Sequence, residues 1–331
     1  MKHFLPLKRV IFSAVTSIFL TASVCAQTFP NKIVTLMVPY PAGGLSDLIA
    51  RKVAEPMSKA LGQPVLIENL GGAGGAIAAQ KVLNAPADGY YVYLGSPNEL
   101  ILAPLANAAV KYKSEDFRLI HNIGTFPIAI LARKDLPAST PDELAAYAIK
   151  VAKEGKPMTY ASVGYGSFYH ILGAQMALSL GAEMTHVPYK GGAPVVQDLL
   201  GSQVDMFISP YGAPQIDMVK SGKLKFVGAA SQERQRAIPQ VPSTGESKAL
   251  KGYNYAIGTG FYVKKDTPDA VALVLHQAIF AVLNDAEVRN ALISQGGEMT
   301  PATPLAGTSS EYAKEIAQIR AIAKSIKLEP Q

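Results

Sequence analysis

Short apolar runs rich in β-branched and aromatic residues alternate with longer segments whose apolar positions recur every three or four residues, along almost the whole chain. A short run bounded by glycine, proline or polar residues suits a buried strand; the longer period suits a helix with one face on a core. Residues 33–39, 65–69 and 91–95 are predicted strands on this basis, with helices over 46–61 and 75–84 between them. In the first helix Leu48, Ile49, Val53, Met57 and Leu61 fall on one side. A second set repeats the pattern, with strands at 158–162, 184–187, 204–209 and 224–229 and helices at 141–153, 167–180 and 192–200. The chain closes with a strand-like 256–263 and helices over 268–283, 286–294 and 305–326.

Strands alternating with helices predict α/β units with mainly parallel sheets. Extended stretches at 123–132 and 239–255 sit at the joins, so the chain is expected to enter one lobe, cross to a second and return. That path makes residues 27–125 and 240–331 one discontinuous domain and 126–239 the other. A length of 331 residues supports two lobes, because one hydrophobic core stops growing near this size.

The N-terminus changes the reading of charge and compartment. Lys2, Lys8 and Arg9 precede an uncharged apolar run to Thr28 with small residues at Val24 and Ala26, a pattern that predicts a secretory signal, residues 1–26, cleaved after Ala26. Cleavage removes Cys25, the only cysteine, and lowers the net charge from +6 to +3. The remaining chain has neither disulfides nor thiolate chemistry and suits an oxidising compartment. Its lysines and arginines are scattered, and nucleic acid is not an expected partner, since that needs a basic stripe or patch.

The candidate chemistry lies where predicted strands run into predicted helices. Tyr40, Ala42, Gly43, Gly44, Leu45, Ser46 and Asp47 follow the first strand. The glycines allow close backbone approach, and a helix N-terminus favours an anion. Ser162, Gly164, Gly166, Ser167, Phe168 and His170 repeat the arrangement in the second unit. Either loop alone is also what a tight turn needs; the pair suggests two turns facing across a cleft. Ser96, after the strand at 91–95, and Tyr189, at a third strand-to-helix join, complete the ligand-binding set.

Catalytic and metal signals are thin. His121, His170, His186 and His276 show no metal-ligand spacing, and no serine lies in G-x-S-x-G. Gly71 to Gly75 does not fit G-x-G-x-x-G, because Ile77 stands at the last position. No cofactor, metal or catalytic residue is expected. A secreted hydrolase or isomerase using Asp47 and His170 is the alternative from the enzyme class.

Together these segments resemble the tripartite tricarboxylate transporter substrate-binding receptors, the Bug family. The motif G-G-x-[ST]-D appears at Gly43–Asp47, S-x-G-x-G-[ST]-x-x-H at Ser162–His170, H-V-P-Y-K-G at His186–Gly191 and D-L-L-x-G-x-V-D at Asp198–Asp205. The family's Arg-Pro pair is replaced by Leu70-Gly71, and its tryptophan strand by Ile257-Gly258-Thr259-Gly260-Phe261. The resemblance implies a type II periplasmic-binding-protein fold, two α/β domains closing on an organic anion. It further implies that the Tyr40–Asp47 and Ser162–His170 loops hold a carboxylate through backbone N–H groups, hydroxyls and waters. The implied partners are a small organic acid and the membrane subunits of a transporter, with the receptor itself a monomer. A sensory role for the same closed receptor, through a kinase ectodomain, is the other alternative.

Overall fold

The computed structural model describes residues 29–294, 296–301, 303–325 and 328–330. The expected signal, residues 1–26, lies outside the described residues. In chain order the first lobe opens with β1 (Val34–Val38), α1 (Leu45–Leu61), β2 (Val65–Asn69), α2 (Ala76–Asn84), β3 (Tyr91–Gly95) and a short α3 (Ala103–Ala106). A long strand, β4 (Phe117–Arg133), leads into α4 (Pro141–Lys153), β5 (Met158–Ser162), α5 (Phe168–Leu180), β6 (Met184–Pro188), α6 (Gly192–Leu200), β7 (Met206–Pro210), α7 (Ala213–Lys220) and β8 (Leu224–Ala229). The chain ends with β9 (Ala256–Lys264), α8 (Asp269–Asn284), α9 (Ala286–Ser294), β10 (Glu298–Met299) and α10 (Leu305–Ser325).

In the first sheet β1 lies parallel between β2 and β3, and β9 runs antiparallel beside β3. In the second, β5 lies parallel between β6 and β7. β4 belongs to both. Its Phe117–Pro127 portion pairs antiparallel with β9, and Ile128 to Arg133 pair antiparallel with β7 and β8. The stretch expected as a crossover at 123–132 is therefore the middle of one 17-residue strand. Its register shifts between Leu119 and His121 and again between Asn122 and Gly124, bulges that bend the strand where it leaves the first sheet. β10 pairs with β4 at Gly124 and Thr125; a Cβ on Gly124 would stand 2.2 Å from the Glu298 carbonyl, so only glycine admits this crossing.

Burial on both faces explains the apolar strands. Val34, Leu36 and Val38 join the cluster that contains Ile49, Val53, Met57 and Leu61 of α1, whereas Met37 joins Ala79, Val82 and Tyr93 on the other side. α1 is a helix because those positions share one face, and Gly62, left-handed at φ 66°, ends it. Leu48, predicted for the same face, is half-buried. α7 escaped the pattern because none of its residues is buried.

Candidate functional site

The lobes meet along loops that are largely glycine. A Cβ on Gly164 would lie 3.1 Å from the Gly74 amide nitrogen, and one on Gly166 would lie 1.9 Å from Ala106 Cβ. Pro41 is wedged between Gly71 and Gly191, where a Cβ would approach its ring to 2.8 and 2.6 Å respectively. Gly71, Gly74, Pro41 and Ala106 belong to the first lobe, and Gly164, Gly166 and Gly191 to the second. The glycines thus let two backbones close on each other without side chains between them.

Behind this seam lies a narrow, partly open chamber of about 60 Å3. The first lobe supplies Tyr40, Gly44, Leu45, Ser46, Ser96 and Thr259; the second supplies Val163, Tyr169, Gly192, Phe207 and Ser209. No lining residue is charged. An adjoining, partly open space of about 340 Å3 touches Ala42, Gly43, Gln197 and Gln215 and shares Gly44, Leu45, Gly192 and Ser209 with the first. Strands place these groups: Ser209 is the last residue but one of β7, Ser96 follows β3, and Thr259 sits within β9.

Two helix N-termini reach this shared boundary. α1 begins after Gly44 and α6 after Gly191, and neither cap residue makes a side-chain hydrogen bond to its helix. Among the described residues no hydrogen bond engages the amides of Leu45, Ser46 or Gly192. Free first-turn N–H groups at the positive end of a helix favour an anion.

Asp47 lies beneath the first loop. Its side chain is 2% exposed, and its Oδ2 accepts from the Gly43 amide and from Arg51 Nε, both at 2.9 Å. Burial opposes its ionisation, but the bonds from Arg51 and Gly43 outweigh it and lower its pKa. Asp47 therefore shapes the Gly43–Gly44 turn and does not line the chamber.

The Ser162–His170 loop is arranged differently from a simple mirror of the first. Ser167 caps α5, accepting from the His170 amide, and Asn98 of the first lobe accepts the Phe168 amide at 2.6 Å. The Phe168 and His170 amides of the first α5 turn are thus engaged, and the second lobe also brings the N-terminus of α6 to the chamber. Ser162 Oγ sits 2.6 Å from His186 Nε2, and His170 Nδ1 accepts from the Gly166 amide at 3.1 Å. The two rings stack at 4.1 Å. Burial, then the neighbouring His170, pushes His186 down to about 4, and burial lowers His170 as well. Both rings hold the loop as neutral hydrogen-bonding groups. Asp47 binds Gly43 and Arg51, and His170 binds Gly166; among the described residues no hydrogen bond joins Asp47 to His170. Tyr189 Oη donates to Asp198 Oδ2 at 2.7 Å, outside the chamber lining.

Asn98 and Glu99 were not singled out by sequence reasoning. Glu99 is 1% exposed, accepts from Tyr40 Oη at 3.2 Å and from Ser96 Oγ at 2.7 Å on Oε2, and takes the Ser96 amide on Oε1 at 2.9 Å. Burial pushes its pKa up to about 7, against the pull of these bonds. A folded-state value above the unfolded one means that the native protein holds the proton more tightly. Its contribution to stability is then present below about pH 4.5 and is lost as pH rises toward 7, with a slope of at most about 1.4 kcal/mol per pH unit. In thermal melts between pH 4.5 and 8, Glu99→Gln should remove that component; an unchanged slope would show that Glu99 titrates normally.

Comparison with known proteins gives the family and the fold. The family described as "Tripartite tricarboxylate transporter family receptor" matches residues 49–328. Protein BugT of Bordetella pertussis is 31% identical over 89% of this chain and 89% of its own. The periplasmic binding protein BugD superposes with TM-score 0.84 at 31% identity, covering 92% of this chain and all of BugD. MatC from Rhodopseudomonas palustris, solved with bound malate, gives 0.78 at 28% identity, covering 88% and 98%. An R. palustris protein solved with adipate gives 0.83 at 27% identity, covering 92% and 100%. The likeness runs through both lobes, so the fold is the type II periplasmic-binding-protein fold, two α/β domains with a cleft between them. The chain belongs to the tripartite tricarboxylate transporter family receptors, the Bug/TctC-like solute-binding proteins.

Proposed function

We propose that this protein captures a small organic carboxylate between its lobes and delivers it from the periplasm to the membrane subunits of a tripartite tricarboxylate-type transporter. The observation that carries the reading is the convergence of two uncapped helix N-termini, α1 from one lobe and α6 from the other, on one uncharged chamber. Backbone N–H groups, with the Ser46 and Ser209 hydroxyls beside them, would hold a carboxylate by charge-assisted hydrogen bonds. The relatives solved with malate and adipate support the ligand class. Export by cleavage after Ala26 belongs to the same reading and is checked by N-terminal sequencing of the secreted protein.

Residues 27–125 with 240–331 would form one moving body and 126–239 the other, hinged on β4 and the return segment before β9. Closure around the ligand excludes water and commits the solute. The test is a thermal-shift and calorimetric screen of mono-, di- and tricarboxylates and aromatic acids. A bound acid at about 100 times its dissociation constant should stabilise the native state by about 2.7 kcal/mol. No shift with any acid, for well-folded protein, would remove the receptor reading.

A further inference from the structure

We propose that Glu99 is a specificity-determining positioning residue, and that through Tyr40 and Ser96 it selects acids carrying a hydrogen-bond donor, a hydroxyl or an ammonium, on the carbon chain. The inference rests on the receptor reading and deepens it by naming the ligand class. Tyr40 and Ser96 both line the chamber on which the α1 and α6 N-termini converge. Both hydroxyl hydrogens are committed to one oxygen, Glu99 Oε2, at 3.2 and 2.7 Å. Asn98 fixes the same oxygens from behind, its side-chain nitrogen 3.5 Å from Tyr40 Oη and its amide 3.3 Å from Ser96 Oγ.

With Glu99 ionised, above about pH 7, and their hydrogens turned inward, the two oxygens can offer the chamber only lone pairs. A second ligand carboxylate placed there would meet acceptors, backed by a buried acid. A hydroxyl or ammonium would meet partners. A site that hydrogen-bonds a ligand donor rejects the analogue lacking it, because its own buried groups are then left unpaired. Glu99→Gln reverses the polarity. The amide oxygen keeps the Ser96 N–H, and the NH2 group at the Oε2 position donates to Tyr40 and Ser96, so their hydrogens turn toward the ligand.

The experiment measures dissociation constants for matched acids: malate and aspartate against succinate, and 2-hydroxybutanoate and 2-aminobutanoate against butanoate. In the wild type the donor-bearing member of at least one set should bind at least tenfold more tightly than its parent. Glu99→Gln should shrink that ratio to within threefold or invert it. The ratio is insensitive to a general loss of stability, which weakens parent and substituted acid alike. Should Glu99→Gln fold poorly, Tyr40→Phe, which deletes one of the two acceptor oxygens, should reduce the ratio in the same direction. Parent acids binding as well as their substituted partners, or ratios unchanged in the variants, would overturn the role of Glu99 while leaving the receptor reading in place. Absence of binding by every acid would overturn both.

Discussion

Gly166→Ala is expected to hold the lobes apart and weaken ligand binding at least a hundredfold, about 2.7 kcal/mol, with each lobe still folded. The new Cβ would stand 1.9 Å from Ala106 Cβ, an overlap that neither backbone can relieve without moving the lobes. The residue also sits at φ 72°, and a left-handed alanine costs about 1 kcal/mol on its own. That second cost falls on the loop and the first on closure, so they separate experimentally. Ala106→Gly removes the clashing atom, and the double variant should recover most of the affinity but not the loop strain. Scattering in solution should give a larger radius of gyration for Gly166→Ala than for the double variant. An affinity within threefold of wild type would mean that these turns do not meet in the bound state.

The other large effect concerns stability. Asp205, just before β7, accepts from Arg133 Nε at 2.7 Å and from the Thr159 amide and hydroxyl at 2.7 and 3.0 Å, while its own amide donates to Thr159 Oγ1. One carboxylate thereby ties the ends of β4, β5 and β7 at the edge of the second sheet. Asp205→Ala should destabilise this lobe by about 3 kcal/mol, since bonds to charged groups are worth about 1.5–3 kcal/mol each and water and Asp135 recover part of the loss. Arg133 keeps its contact with Asp135 at 2.9 Å, which limits the cost of stranding the guanidinium. A urea midpoint indistinguishable from wild type would show that the network contributes nothing net.

Much of this architecture was legible in the sequence because helix and strand periods differ and glycines punctuate the joins. The 46–61 pattern became α1 with Ile49, Val53, Met57 and Leu61 in the core, and the predicted strand at 158–162 is β5. The continuity of β4 was not legible: Gly124 and Pro127 look like breaks, and only the tertiary pairing with β9, β7 and β8 keeps the strand extended across them. Of the candidate site residues, Tyr40, Gly44, Leu45, Ser46 and Ser96 line the chamber, and Ala42 and Gly43 its extension. Asp47, Ser162, Ser167 and His170 hold loops in shape, because spacing reveals that a polar group is near a turn but not which way it faces. Thr259, Phe207 and Ser209 come from strands whose local pattern reads as core; the rule that ligands gather at the carboxyl ends of strands would have drawn attention to Ser209. Glu99 stands within an apolar run, and its isolation there was the one available signal of a buried acid.

A strand shared by two sheets also orders events during synthesis. The second lobe has all its strands once residue 229 has been made, whereas the first must wait for β9, which lies between β3 and β4, and for α8 and α10, which pack on β4. Phe117 cannot meet Lys264 until nearly the whole polypeptide exists. The earlier-made half is therefore the later to finish, and its closure, a long-range contact with a large loop entropy, should set the pace of folding. Any helper that shields unfinished chains would act on β1, β2 and β3, whose apolar faces stay uncovered longest.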